Sequence, residues 1–521
     1  MNPAKISELV NSALSLHNQG NIEQADQIYQ AILREESRNF DANHLHGLVL
    51  SQKGEHTKAL PFLKQAVKQQ QNNFEANNNL GLAYKNLKQY KNAEKHFLKA
   101  ISIDETGFKA YLNCANLYLT IEEYDKAIEF LFKCISINGE TFDLLRRIAE
   151  VYNLEYLKTK NENLLLDAEK YGKKAMDTNP QAEGPYHTLA MTYLWLGKIQ
   201  ESLKFFKEYN SILQSTQKEF GIKHGDCIRN RLADPASLIA LIKHEFEQLT
   251  FIDNDSDGIR NTKFSKEYYE FLKNNYKKIE EGSFQPTSIN EEEKKLLLKQ
   301  LYNKPPKSKL ESYVNKNNNI LELEKKYVNS IPEVVVIDNF LSEEALLELQ
   351  KFCYSSNIFK LPYSNGYLGA FLAKGMANEF MLELSEEIRK TYKKIFTNTK
   401  LAQAWIFKYD NKCKGINLHA DDAEVNLNLW ISQESANLNP ETGGLIIWDK
   451  FPNKNATFYD FNINTASVAK QLEEKKIGST KVPYRENRAV IFNSMLYHAT
   501  DDYKFRDDYK DRRLNITFLY D

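Results

Sequence analysis

The chain has 521 residues and a mass of 60.5 kDa, which allows about three domains. Its 69 Lys and Arg nearly balance its 70 Asp and Glu, so its charge indicates neither a nucleic acid nor an anionic membrane as partner. A hydrophobic content of 42% excludes a disordered chain, and no apolar run reaches the roughly 18 residues of a membrane span. Five scattered cysteines and a start without a secretory signal pattern predict a cytoplasmic protein.

A repeat of 34 residues fills the first part of the chain. Apolar anchors stand at this spacing at Ile6, Phe40, Phe74, Phe108 and Phe142, and two series of small residues keep the same interval. One small residue on each of two helices lets their backbones approach closely. Because a single helix pair cannot bury its apolar face alone, neighbouring pairs are expected to stack into an α-solenoid.

The unit NNNLGLAYKNLKQYKNAEKHFLKAISID resembles the tetratricopeptide repeat (TPR). The resemblance covers residues 6–216 as six units and predicts a first domain over 1–216. It implies a concave groove that binds a protein or peptide partner. In that groove, amide side chains can grip an extended peptide backbone because they both donate and accept hydrogen bonds. The candidates are Asn78, Asn79, Asn113 and Asn116, for which simple solvation is the competing interpretation.

The second segment, 217–330, is predicted to be a helical connector. Pro235 stands just inside the start of one predicted helix, and two further helical patterns follow it. The Pro- and Asn-rich stretch over 303–319 is the best candidate for a flexible linker. His224 and His244 have no metal-ligand spacing and are expected to lie on helix surfaces.

The third predicted domain, 331–521, changes to short strand-like runs separated by turns. Many short strands predict an all-β jelly roll with supporting helices packed outside it. The run INLHADD carries His419 and Asp421, which share one face of an extended strand because they are two positions apart. The only other histidine of this domain, His498, stands on another predicted strand.

Two histidines and a carboxylate on neighbouring strands form the ligand set of non-haem Fe(II) oxygenases, which leaves further coordination positions open. Taken alone, the HxD pattern fits a pair of ordinary surface or core histidines better. Asp422 is a rival ligand, but successive side chains of a strand point to opposite faces, so Asp422 would point away from His419 and Asp421. Cys413 is expected to be an ordinary loop cysteine.

The last predicted strand favours the metal site over the interpretation as ordinary histidines. Arg513, Asn515 and Thr517 share one of its faces, in a chain that has only 13 arginines. A guanidinium inside a barrel is costly without an anionic ligand, and a buried dicarboxylate that Arg513 binds in bidentate fashion would explain it. Arg512 points the opposite way and is expected on the surface.

Together these residues resemble the iron- and 2-oxoglutarate-dependent dioxygenases, and the prolyl-hydroxylase-like branch in particular. The matching elements, in chain order, are Tyr409, the HxD motif, GGLIIW at 443–448, His498 and Arg513-x-x-x-Thr517. The resemblance implies a double-stranded β-helix, with His419, Asp421 and His498 as iron ligands and Arg513, Thr517 and Tyr409 as 2-oxoglutarate contacts. It also implies dioxygen as co-reactant and ascorbate as an accessory reductant.

One position departs from the family pattern. Many relatives place a tyrosine on the strand after HxD, where it contacts the far carboxylate of the cosubstrate. Here that strand is VNLNLWIS, in which Asn426, Asn428 and Trp430 share one face. Asn428 or Trp430 would therefore replace the tyrosine, with ordinary core packing as the competing interpretation for Trp430.

The predicted function is hydroxylation of a protein or peptide that the repeats recruit. One alternative makes the repeats an assembly platform and the substrate a small metabolite or glycan. Another, from a different class, is a non-catalytic repeat scaffold, which the intact set of metal and cosubstrate residues disfavours. No motif indicates a nucleic-acid partner, and no pattern sets an oligomeric state.

Overall fold

The computed structural model describes residues 3–215, 228–254, 265–300, 303–410, 415–453 and 456–521. Contacts between residues divide the chain into two compact units, Met1–Pro180 and Gln181–Asp521. Within the described residues, no helix is both long and apolar enough to cross a membrane.

The described residues of the first unit form ten helices, each of which packs against the next. Each odd-numbered helix and its successor form one repeat, as the 34-residue spacing predicts. The helices are α1 (Pro3–Asn18), α2 (Ile22–Glu35), α3 (Phe40–Gln52), α4 (His56–Gln69), α5 (Phe74–Asn86), α6 (Tyr90–Ile103), α7 (Phe108–Thr120), α8 (Tyr124–Asn138), α9 (Phe142–Thr159) and α10 (Asn163–Thr178).

Small residues at the predicted positions allow the paired helices to pack closely. Ala59 and Ala93 are fully buried, and a Cβ added to Gly81 on α5 would lie 2.6 Å from the ring of Phe97 on α6. Asn73 begins α5 as its N-cap, because its side chain accepts a hydrogen bond from a backbone N–H of the first turn. A seven-residue insertion around LKTKNEN, at 157–163, interrupts the 34-residue spacing and is accommodated by the longer helix α9 and the turn after it.

The second unit begins with a further helical pair and continues with the connector helices. The pattern around Pro235 is confirmed, since α14 starts at that residue. The helices are α11 (Glu183–Trp195), α12 (Ile199–Ser215), α13 (Ile228–Ala233), α14 (Pro235–Asn254), α15 (Lys266–Glu280), α16 (Glu291–Leu298), α17 (Ile320–Asn329), α18 (Glu343–Ser355), α19 (Glu379–Thr391) and α20 (Ala466–Glu474).

Two antiparallel sheets form the β part of this unit. The larger has seven strands in the order β1-β8-β5-β10-β4-β3-β2, and the smaller has three in the order β7-β6-β9. The strands are β1 (Val334–Ile337), β2 (Leu361–Pro362), β3 (Tyr367–Phe371), β4 (Leu401–Tyr409), β5 (Val425–Trp430), β6 (Leu445–Trp448), β7 (Ser479–Val482), β8 (Arg488–Asn493), β9 (His498–Thr500) and β10 (Leu514–Tyr520).

The register of the larger sheet sets which side chains share a face. On β10, Thr517 lies opposite Asn428 of β5 on one side and opposite Trp405 of β4 on the other. Asn515 likewise lies opposite Trp430 of β5. Since directly opposite residues in antiparallel strands point to the same face, these polar side chains share one surface of the sheet.

The stretch 303–319 is not a flexible linker, contrary to the sequence-based expectation. The ring of Tyr313 is 5% exposed, and Val314 forms an isolated β-bridge with Leu341. The backbone N–H of Lys307 donates to Glu348 on α18. These contacts hold the stretch against the rest of the second unit. The expectation failed because a Pro- and Asn-rich composition does not prevent the main chain from forming hydrogen bonds.

Candidate metal centre and anion pocket

Three side chains converge where the two sheets meet. His419 forms an isolated β-bridge with His498, the first residue of β9, and the two residues exchange backbone hydrogen bonds of 2.8 and 3.0 Å. The run INLHADD is therefore an extended segment with one bridge, and not the regular strand that its alternation predicts. One ligand atom each from His419, Asp421 and His498 lies within 4.8 Å of the others.

The imidazole rings are oriented by backbone carbonyls. His419 Nδ1 lies 2.8 Å from the carbonyl oxygen of Asn417, and His498 Nδ1 lies 2.9 Å from that of Leu496. A carbonyl only accepts hydrogen bonds, so each Nδ1 carries a proton, and in a neutral ring Nε2 then keeps a lone pair. The two Nε2 atoms lie 3.8 and 3.5 Å from the carboxylate of Asp421. This tautomer is the one that binds a metal through Nε2.

The charge states suit a metal ion as well. Burial and the neighbouring His498 ring lower the pKa of His419 to about 4, so its imidazole is neutral at pH 7. Burial alone would raise the pKa of Asp421, but the two imidazoles and a hydrogen bond from Asn426 hold it below its ordinary value. The cluster therefore presents the neutral imidazole of His419 and the carboxylate of Asp421, and together with the imidazole of His498 these are ligand types that suit Fe(II). Asp422 is exposed, in agreement with its predicted parity.

Arg513 is 1% exposed and lies just before β10. Its Nε donates to the carbonyl of Gly443 at 2.7 Å, and its Nη2 donates to that of Gly444 at 3.3 Å. Its Nη1 has no hydrogen-bond partner among the described residues. The double-glycine turn is required here, because Gly443 has a positive φ of 89° and a Cβ on Gly444 would overlap the carbonyl oxygen of Val482.

Aromatic rings surround this guanidinium. Its central carbon lies 4.7 Å from the ring centroid of Tyr409 and 5.9 Å from that of Trp430. The indole N–H of Trp430 is buried and has no hydrogen-bond partner in the described part of the chain. Burial raises the pKa of Tyr409, so its hydroxyl keeps its proton at neutral pH. The positively charged guanidinium of Arg513 is thus grouped with two further hydrogen-bond donors, the Tyr409 hydroxyl and the Trp430 indole N–H. This combination suits a carboxylate ligand.

Arg513 Nη1 and Trp430 Nε1, the buried donors without a partner, show whether 2-oxoglutarate fits the site. A buried donor left without a partner costs free energy, and a ligand carboxylate at Arg513 would remove that cost. The donor set of two imidazoles and Asp421 fits Fe(II) equally. The residues present therefore fit both groups.

Asn428 and Thr517 have protein partners inside the site. Asn428 Nδ2 donates to Asn426 Oδ1 at 2.6 Å, and Thr517 Oγ1 donates to Asn428 Oδ1 at 3.4 Å. Trp430 stacks on Tyr484 with their centroids 5.5 Å apart. Of the two candidates to replace the usual tyrosine, Trp430 has the donor without a partner.

Two sequence-based expectations about charged residues are wrong. Arg512 does point away from Arg513, but it is 4% exposed and forms a 2.5 Å ion pair with Glu247 of α14. His244, also on α14, is fully buried and contacts the ring of Phe359 instead of solvent. Both errors have one cause. Helix α14 packs over the face of the sheet that carries Arg512, and the sequence of a connector helix does not reveal which surface it will pack against. His224 and Cys413 lie outside the described residues.

The asparagines predicted to line the repeat groove interact with neighbouring repeats. Asn113 Nδ2 on α7 donates to Asn78 Oδ1 on α5 at 2.8 Å, and Asn116 Oδ1 accepts from Arg147 on α9 at 2.9 Å. Asn79 Nδ2 lies 2.9 Å from a histidine ring of α3. These side chains thus link successive repeats, and simple solvation does not describe them.

Known proteins resemble the repeat region. Models of the tetratricopeptide repeat family match residues 40–73, 74–106 and 108–141, so the N-terminal region contains TPR repeats. None of the curated proteins matches the chain.

Solved structures align with part of the chain at low identity. The type IV pilus biogenesis factor PilW is 17% identical, with 42% of this chain and 100% of that chain covered and a TM-score of 0.35. PilF of Pseudomonas aeruginosa is 16% identical, with 41% and 96% covered and a TM-score of 0.34. YrrB, a TPR protein with an unusual peptide-binding site, is 16% identical, with 35% and 91% covered and a TM-score of 0.31.

Proposed function

We propose that the chain is an Fe(II)- and 2-oxoglutarate-dependent dioxygenase that hydroxylates a protein or peptide recruited by its TPR repeats. The two antiparallel sheets would form the double-stranded β-helix of that family. One observation carries the proposal: a compact His–Asp–His cluster and a buried arginine with an unpartnered Nη1 occur in the same unit. A structural ion pair does not explain the burial of Arg513, because this residue has no carboxylate partner among the described residues.

The residues have distinct roles in this proposal. His419, Asp421 and His498 would hold the metal through two Nε2 atoms and one carboxylate oxygen. Arg513 would bind the far carboxylate of 2-oxoglutarate, with Tyr409 donating to it. Iron with this cosubstrate, when bound, would supply oxidation of a substrate C–H bond by dioxygen, with one oxygen atom going to the substrate and the other to the succinate formed on decarboxylation. The protein's own contribution is to fix the ligands, bind the anion and exclude water.

The repeats support the substrate class. TPR repeats are a protein-interaction architecture, in which stacked helix pairs present an extended concave surface to a partner. A protein that captures its substrate in a separate unit raises the local concentration of the target residue near the metal. The other candidate substrates, a small metabolite or glycan, would not need this groove.

The test is succinate release from 2-oxoglutarate by the full-length protein with Fe(II), in the presence of a peptide library and a cell extract. We expect slow release without substrate and faster release with the fraction that contains it. The matched controls are His498→Ala, which lacks a metal ligand, and Arg513→Ala, which lacks the anion contact. Release that is equal in the wild type and both variants would overturn the proposal.

A further inference from the structure

A chain of four buried side chains leads across the larger sheet to Asp421, and we name it the amide relay. Asn515 Nδ2 donates to Thr517 Oγ1 at 3.2 Å, and Thr517 Oγ1 donates to Asn428 Oδ1 at 3.4 Å. Asn428 Nδ2 then donates to Asn426 Oδ1 at 2.6 Å, and Asn426 Nδ2 donates to Asp421 Oδ2 at 2.9 Å. All four relay residues are at most 3% exposed.

Every donor in the relay points toward the carboxylate. Turning the amide of Asn426 around would place its oxygen against Asp421 and its NH2 against the NH2 of Asn428, so two favourable contacts would become repulsive. This orientation fixes Asn428 in turn, because the oxygen of Asn426 needs a donor, and the oxygen of Asn428 then accepts from the Thr517 hydroxyl. Hydrogen bonds aligned in one direction polarise one another, and here they end on a negative charge.

The relay acts on one oxygen of Asp421. Asn426 contacts Oδ2, and Oδ1 lies 3.8 Å from His419 Nε2. The terminal torsion of an aspartate is broad, so a carboxylate without such a contact would turn easily. Holding Oδ2 therefore sets the plane of the whole carboxylate, in which Oδ1 lies 3.8 Å from His419 Nε2 and Oδ2 lies 3.5 Å from His498 Nε2.

We propose that the amide relay is a positioning device for the metal-binding carboxylate, and this inference rests on the proposed function. Asn426 orients Asp421 directly, and Asn428 and Thr517 act through it from β5 and β10. Thr517 thereby serves the metal ligand, in place of the direct cosubstrate contact that the family resemblance implies. Groups that orient a metal ligand typically change metal affinity by about 10–100-fold when they are removed.

The experiment titrates Co(II) into the full-length, metal-free protein and records the visible absorption spectrum of the bound metal. Asn426→Leu should weaken binding by about 10–100-fold and shift the spectrum, since the carboxylate is no longer held. Thr517→Val has nearly the same shape but no donor, and it should weaken binding about fivefold, the effect of one hydrogen bond. Thr517→Ser restores the hydroxyl and should return the affinity and the spectrum toward those of the wild type.

A second buried threonine supplies the matched control. Thr399 is 1% exposed and its hydroxyl donates to the carbonyl of Phe396, away from the relay. Thr399→Val should leave the Co(II) affinity and spectrum unchanged. Thermal unfolding of each metal-free variant shows whether it folds. If Asn426→Leu does not fold, the Co(II) affinities and spectra of the two Thr517 variants decide whether the amide relay positions Asp421.

The outcomes separate this inference from the proposed function. If the wild type binds one Co(II) and Thr517→Val binds it with equal affinity and an identical spectrum, the relay role is wrong and the metal centre stands. If the wild type itself shows no saturable binding, the metal centre is wrong and the relay role is wrong with it.

Discussion

Tyr409 and Arg513 face each other across β4 and the start of β10, with the guanidinium carbon 4.7 Å from the tyrosine ring centroid. The backbone N–H of Tyr409 also donates to the carbonyl of Arg513 at 3.0 Å. The two side chains are therefore held by the same pair of strands, and a ligand bound by one lies beside the other.

Arg513→Ala should weaken 2-oxoglutarate binding strongly. Truncating one partner of a buried charge-assisted contact typically costs about 2–5 kcal/mol, and the wild-type contact would be of that kind. Arg513→Lys keeps the charge but loses the planar fork, so it should bind less tightly than the wild type. Calorimetric titration of 2-oxoglutarate into metal-loaded protein measures both effects.

Arg512 provides the contrast to Arg513. Because it is buried against Glu247, Arg512→Ala leaves a buried carboxylate unpaired and should destabilise the second unit by about 3–5 kcal/mol. It should not change the affinity for 2-oxoglutarate, since its side chain lies on the other face of the sheet. Equal loss of affinity in the Arg512 and Arg513 variants would show that the strand register is wrong.

His498→Ala should abolish metal retention and 2-oxoglutarate turnover together. The variant loses one of three ligands and leaves Asp421 without the imidazole that lies 3.5 Å away. Elemental analysis of the purified protein and succinate release measure the two losses. Wild-type iron content in a triple variant, His419→Ala, Asp421→Ala and His498→Ala, would show that the metal binds elsewhere.

Acid should destabilise the second unit through His244. Burial lowers the pKa of this histidine from its ordinary 6.5 to about 3, so the folded state resists a proton that the unfolded chain takes up. Its stabilising contribution is therefore complete above pH 6.5 and falls as pH drops toward 3, by up to about 1.4 kcal/mol per pH unit. His244→Leu should show a shallower loss of unfolding free energy between pH 6 and pH 4, measured by urea denaturation of metal-free protein. An unchanged slope would contradict this prediction.

A protein truncated to 181–521 should separate the roles of the two units. Because this range is one compact unit and contains every candidate metal and cosubstrate residue, it should still decarboxylate 2-oxoglutarate slowly without substrate. It should lose most turnover on a protein substrate, since capture would sit in the repeats. Equal kcat/KM for the truncated and full-length proteins would favour a small-metabolite substrate, and no turnover in either would favour a non-catalytic scaffold.

The groove asparagines give a finer test of peptide capture. Replacing Asn78, Asn79, Asn113 and Asn116 together with Ala should raise KM for a protein substrate more than it lowers kcat, the sign of lost uniform binding. Asn92→Ala is the control, because Asn92 is exposed on α6 and bonds only to the nearby Gln89. Steady-state kinetics on one substrate, with thermal unfolding to monitor the repeats, distinguishes the two variants.

Periodicity made much of this architecture predictable. The 34-residue interval predicts the helix pairs because each repeat buries the same positions, and alternation on the last strand places Asn515 and Thr517 on one face. Contacts made by the backbone could not be predicted from the sequence. The imidazoles are oriented by the backbone carbonyls of Asn417 and Leu496, and any residue type at these two positions would supply such a carbonyl. The burial of Arg512 was equally hidden, because parity gives the direction of a side chain but not the helix that covers it.

The two glycine carbonyls that bind Arg513 have a thermodynamic consequence. A backbone carbonyl does not titrate, and in this tight turn it has little freedom to move, so the guanidinium loses its rotamer freedom when the chain folds and not when a ligand arrives. The entropy of ordering a long side chain, about 0.5–1.5 kcal/mol, is then absent from the binding step. An anion bound by Arg513 would therefore meet a preformed site, and its affinity would depend on its length and charge more than on any rearrangement of the protein.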